Sequence, residues 1–191
     1  MSNLFQKLEL EAFRKGINPR TRESREWFRN RVQRLTRVNR EQLMRQDEVT
    51  KRATHSYGGM FMYFYDPKHK DKLPYYDTFP LVLPLEKYPD GFLGINFHYL
   101  PMKLRLKLLD RVVDFSNNTK FDESTRLAVD YSKLKNIKLI KPTLHRYLAG
   151  HTKSDFRRID ADEFTIAALL PVQRFKKSSA DAVWSDSRSM V

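Results

Sequence analysis

Six arginines at short spacing, Arg22, Arg25, Arg29, Arg34, Arg37 and Arg40, are the first residues whose type and arrangement could do chemistry. A guanidinium is always charged, and its planar fork of N–H donors matches a phosphate or a carboxylate. At about 100° per residue, Trp27, Phe28, Val32, Leu35 and Val38 gather on one side of a helix read as Arg22 to Asn39. Arg22, Arg25, Arg29, Arg37 and Arg40 gather on the other, and Arg31 intrudes on the apolar side. A solvated helix back normally mixes signs, yet Glu23 and Glu26 are the only acids here. The row reads either as such a back or as a contact face for DNA phosphates or an acidic protein surface.

Other reactive residue types offer less. Asp66, Asp71 and Asp77 are close in sequence, as metal-dependent nucleases require, but Asp66-Pro67 and Asp71 read as turn residues. The carboxylates of "DADEF" sit at a helix start, where capping between Asp160 and Glu163 and the helix dipole account for them. His55, His69, His98, His145 and His151 show no metal-ligand spacing, and His98 reads as a hydrogen-bonded sheet residue. Neither a G-x-S-x-G elbow nor a phosphate-cradling glycine loop occurs. Without cysteine, disulfides and thiolate metal sites are excluded. The expectation is a non-enzymatic protein with no catalytic residue, cofactor or metal.

The aromatic row "MFMYFY", Met60 to Tyr65, raises the question of a base-stacking platform. Both faces of that strand would be bulky, and "FPLVLPL" is apolar enough to cover one of them. The preferred reading is a core strand, with the tyrosine face half exposed towards a partner.

The elements that position these groups follow from periodicity. Leu4, Leu8 and Ala12 predict a helix over residues 4–15 closed by Gly16, and Thr21 is the N-cap of the arginine helix. Residues 41–56 read as a linker. Residues 58–100 read as three antiparallel strands, with a turn at Pro89, Asp90 and Gly91. Pro74, Pro80 and Pro84 place the middle segment at an edge or a bulge. Pro101 starts a helix with Lys103, Lys107 and Arg111 outward, and residues 122–135 predict another. "TLHRYLAG" reads as a short helix, and residues after Pro171 as an extended tail anchored by Phe175 and Trp184.

The fold class expected is α+β: a small antiparallel sheet or half-barrel flanked by helices. Its domains are a basic helical arm and linker (1–56), a core (57–170) and a tail (171–191). Phe64, Leu83, Phe92, Ile95 and Phe97 are the expected core of the sheet. Thirteen Phe, nine Tyr and two Trp in 191 residues exclude a disordered basic tail. A net charge of +13 attracts phosphate backbones, acidic membrane surfaces or acidic proteins. No apolar run is long enough for a bilayer span, and the charged N-terminal stretch is unlike a secretory signal.

The strings "INPRTRESREWFRNRV", "MFMYFYDPKHKDKLPYYDTFPLVLPLEKYPDGFLGINFHYLP", "LIKPTLHRYLAGHTKSDFRRIDADEFTIAALLP" and "VWSDSR" cover most of the chain. Together they resemble a small protein of large contractile-tailed bacteriophages, of the T-even type and their cyanophage relatives. The resemblance implies a virus-encoded protein made in the bacterial cytoplasm and found in the virion. It implies either a tail, baseplate or neck component or a DNA-handling factor, and it carries over no site residues. The main expectation is a virion structural protein docking on other virion proteins through the arginine helix and Trp184. The alternative is a DNA-binding factor, such as a DNA-end-protecting or packaging protein.

Overall fold

The structure, a computed structural model, describes residues 4–18, 21–35, 38–44, 49–50, 59–116, 134, 137–159 and 163–191. The expected helix over 122–135 lies outside the described residues except for Leu134, which is helical and buried. Arg37, His55 and Asp160 also lie outside them.

Helix α1 (Leu4–Arg14) buries Phe5, Leu8 and Ala12. It ends as expected at Gly16, whose φ of +67° only glycine adopts without strain. Helix α2 (Arg22–Gln33) starts at Thr21, whose side chain accepts from Ser24 N while Ser24 Oγ accepts from Thr21 N. This reciprocal cap satisfies two otherwise orphaned donors. α2 is shorter than expected, because its last turn tightens to the bonds Arg34 N to Arg31 O and Leu35 N to Val32 O. The linker contains α3 (Arg40–Met44) and β1 (Val49–Thr50).

The main sheet adds β2 (Met60–Met62), β4 (Leu81–Tyr88), β5 (Gly91–Asn96), β6 (Leu144–Leu148) and β7 (Phe156–Ile159). Its order is β1-β7-β2-β4-β5-β6, with every pair antiparallel. A second sheet pairs β3 (Tyr76–Asp77) with β8 (Phe175–Lys176). The other helices are α4 (Met102–Ser116), α5 (Phe164–Leu169) and α6 (Ala180–Ser189), with short 3-10 turns at Phe97–Tyr99, Lys138–Thr143 and Ala149–His151. The α+β expectation holds.

Period-two alternation sorts the sheet into two cores. Met60, Met62, Leu81, Leu83 and Ile95 face the helices and join Phe5, Leu8, Phe28 and Val32 in one cluster. Phe61, Tyr63, Tyr65, Phe92, Tyr147 and Phe156 fill the other face. Phe92 on β5 and Phe156 on β7 are three strand spacings apart, about 14 Å in a flat sheet. Their ring centroids are 6.3 Å apart, so the sheet curls around its aromatic filling as a half-barrel. Backbone bonds from Lys153 N to Phe64 O and from Asp66 N to His151 O extend the β2–β7 pairing towards the mouth.

Several expectations are corrected. The tyrosine face of "MFMYFY" is not half exposed, since Tyr63 and Tyr65 are both buried in the aromatic cluster. Phe64 is only half-buried, tilted against Phe79 at 4.8 Å, because the strand ends at Met62. Leu83, Phe92, Ile95 and Phe97 are buried as expected. Of the edge or bulge expected for the proline segment, the bulge holds: β4 is interior, and its register shifts between Pro84 and Glu86, which relieves the missing proline N–H. "LHRYL" is strand β6, because its backbone completes the ladder of β5 from Gly91↔Leu148 to Ile95↔Leu144. The segment after Pro171 is not an extended tail. It contains β8 and α6, capped by Ser179 Oγ accepting from Ala182 N, with Val183 and Ser187 buried.

Candidate nucleic-acid interface

The interface is built on three helices. α5 is buried from Ile166 to Leu169, and its small Ala167 and Ala168 let α2 and α4 pack closely on it. Across this support Arg25 of α2 holds Asp110 of α4 with two bonds of 2.5 and 2.7 Å. A bidentate guanidinium–carboxylate pair fixes orientation as well as distance. It brings the arginine stripe of α2 beside the outer face of α4, where Lys103, Lys107 and Arg111 are exposed one turn apart. Arg22, Arg25 and Arg29 share one stripe of α2 because three- and seven-residue steps nearly close whole turns.

The six predicted arginines do not act alike. Arg22 is exposed, and its 3.4 Å contact with Glu26 is a surface pair that a phosphate can displace. Arg29 is half-buried and Arg34 is exposed, and neither has an ion-pair partner among the described residues. Arg34 follows the end of α2 and points away from the Arg22–Arg29 stripe by the helical period. Arg40 is removed from the face altogether. It begins α3 and donates to Val172 O at 2.6 Å and Gln173 O at 2.9 Å. Burial lowers its pKa, with Arg174 adding to the effect. Arg31 binds Glu11 at 2.9 Å and ties α2 to α1.

Trp184 is an anchor, but onto this chain. Its Nε1 donates to His98 O at 2.8 Å, and the Arg105 guanidinium lies 5.5 Å from its ring centre. This packs Trp184, half-buried, on the 97–99 turn.

Beneath this helix lies a buried polar hub that no sequence motif announces. Asp77 Oδ1 accepts from Phe79 N and Arg174 N, both at 3.0 Å, while its Oδ2 lies 2.7 Å from His98 Nδ1. Burial alone would raise the Asp77 carboxyl. His98 and the two backbone donors outweigh it and hold the group below the ordinary carboxylate value. His98 is lowered by burial despite Asp77, so it is the neutral partner. Of the three clustered carboxylates, Asp66 instead pairs with Lys70 at 3.0 Å. Asp77 is engaged by these bonds on both oxygens, whereas His98 Nε2 is buried without a hydrogen-bond partner, and among the described residues no group of His, Asp and Glu could hold a metal ion. Lys103, Lys107 and Arg111 were recognisable as outward-facing. Their place beside α2 depended on the Arg25–Asp110 contact, 85 residues apart in sequence.

The protein thus presents a basic two-helix face, while the rings of its aromatic half-barrel are buried rather than offered as an exposed platform. Over residues 5–187 the chain matches, and belongs to, the family described as the Phage T4 terminal DNA protecting protein. The expected origin in a T4-type bacteriophage is thereby met. No curated protein and no solved structure matches the chain. Of the two functions expected, the family supports the DNA-end-protecting alternative over a tail, baseplate or connector role. Among the described residues no helix is long and apolar enough to cross a membrane.

Proposed function

We propose that this protein binds the ends of duplex DNA and shields them by occupancy, without a chemical step. The observation that carries the reading is the family match over nearly the whole chain. The net charge of +13 and the exposed cations of α2 and α4 supply the means. Lys and Arg side chains that neutralise phosphates release condensed counterions, which drives binding without regard to sequence. Arg22 and Arg29 on one helix and Lys103, Lys107 and Arg111 on the other form two tracks, joined by the Arg25–Asp110 pair. The same face offered to an acidic virion protein would bind DNA only diffusely.

The test compares a linear duplex with a covalently closed dumbbell of the same sequence at fixed salt. The full chain should prefer the linear form, and Arg22→Gln with Arg29→Gln should weaken binding to both. Equal affinity of the wild-type chain for the two forms contradicts end recognition.

A further inference from the structure

Between the loop 66–73 and strand β6 lies a cleft of about 430 Å³. That volume falls within the range of small-ligand sites, roughly 300–1,000 Å³. Its wall carries Tyr76 and His145, both half-buried, with Tyr99 and Tyr147 behind them. Tyr99 and His145 are in ring contact, with centroids 4.0 Å apart and planes tilted at 33°. Burial lowers the pKa of His145 to about 4, so its ring is neutral at physiological pH. At the mouth stands Leu73, exposed despite being apolar. The rim is basic: Lys68 and His69 come from the loop and Arg146 from β6.

The cleft is preformed. Lys177, held at φ 68°, donates through Nζ to the carbonyls of Lys70, Asp71 and Leu73 at 2.7–3.0 Å. The other end of the loop is fixed by Lys70 on Asp66 and by His151 Nδ1 at 2.9 Å from Asp66 O. On the opposite rim Arg146 lies 3.9 Å above the ring of Tyr88 and bonds to Asp90. Lys68 has no ion-pair partner among the described residues. Aromatic rings on one wall with cations at the edge suit one chemistry, a planar base bearing a phosphate. Every base offers a π-face to an aromatic ring, and the phosphate is met by point charge and guanidinium.

We propose that this cleft takes one terminal nucleotide of a DNA strand, its base against Tyr76 and His145 and its phosphate at the Lys68 and Arg146 rim. This deepens the end-binding reading and rests on it. The helix face would hold the duplex, and the cleft would distinguish an end from an interior position. A free nucleoside monophosphate has the same chemistry as a strand terminus, so both are measured.

The full chain is titrated with dAMP, with a hairpin duplex whose single open end carries a 5′-phosphorylated overhang, and with a closed dumbbell of that duplex. Two variants are compared, Lys68→Gln/Arg146→Gln at the rim and Leu73→Glu at the mouth, both at exposed positions. Each should reduce the open-to-closed affinity ratio about tenfold, the scale of one lost stacking or phosphate contact. Each should also weaken dAMP binding, with an unchanged thermal melt. Variants that keep the full wild-type ratio overturn the cleft while leaving end binding intact. A wild-type chain without end preference, yet binding dAMP in a Leu73-dependent manner, overturns the end-binding reading and retains the cleft as a nucleotide site.

Discussion

Arg105 has no solvent-exposed surface and no carboxylate ion pair among the described residues. Its donors go to four oxygens: Leu100 O at 2.6 Å, Ala168 O at 3.2 Å, and His98 O and Gln173 Oε1 at 3.3 Å. Burial lowers its pKa to about 9, so it remains protonated at neutral pH. Arg105→Leu would strand these acceptors out of reach of water, at a cost on the order of 3 kcal/mol. Denaturant unfolding should show that loss. Trp184 emission should change in a Trp27→Phe background, because the ring loses its cation. Unchanged stability and emission would show that Arg105 is dispensable. The histidines give a pH dependence whose sign is fixed. His98 and His145 are lowered by burial, so the unfolded chain takes up protons before the folded one. Stability should be level above the unfolded histidine value of about 6.5 and decline as pH falls towards about 4. Asp77, also lowered, adds to the loss at still lower pH. His145→Gln should make the melting temperature less sensitive to pH between 6.5 and 4.

At the scale of elements, the half-barrel depends on the aromatic filling that lets β5 meet β7. Phe92 stacks on Tyr147 at 5.4 Å and faces Phe156 and Tyr63 at 6.3 Å. Phe92→Ala should cost on the order of 3–5 kcal/mol, since curled strands cannot collapse into a ring-sized void. Phe64→Ala should cost less, because that ring is only half-buried. Equal losses from the two substitutions, measured by urea unfolding, would contradict the closed aromatic core. What could be read from sequence here was whatever local chemistry decides. Gly16, Thr21, the Pro89–Gly91 turn and the α4 periodicity were all legible. β6 was not, because "LHRYL" between Pro142 and Gly150 suits a short helix unless the neighbouring strand is known. α6 did carry signals, an N-cap Ser179 with Asp181 in the first turn and Arg188 in the last. Its buried face offers only Val183 and Ser187, too little apolar pattern to outweigh the serines around it.

For the whole molecule, the candidate site was legible only in part. The arginine stripe was visible because one helix carries it, whereas Arg40 turned out to be an internal tether through contacts with residues 172 and 173. The second track on α4 and the cleft come from residues brought together across the fold, which no local pattern encodes. If the two tracks engage phosphates, log affinity for random duplex should fall with log salt by about 0.9 per phosphate contacted. Arg22→Gln with Arg29→Gln should then flatten that slope by roughly two units, with little change in sequence preference. An unaltered slope would place the DNA elsewhere on the surface.

The most direct measurement is protection of linear duplex DNA from a processive exonuclease, followed as a function of the protein-to-end ratio. The account predicts that degradation stops once the ends are saturated. The required amount of protein should scale with the number of ends and stay constant when the duplex is lengthened at fixed end concentration. Arg22→Gln/Arg29→Gln should require more protein for the same protection. Protection that scales with total duplex length, or its absence at saturating protein, would contradict the assignment of this chain to the shielding of DNA ends.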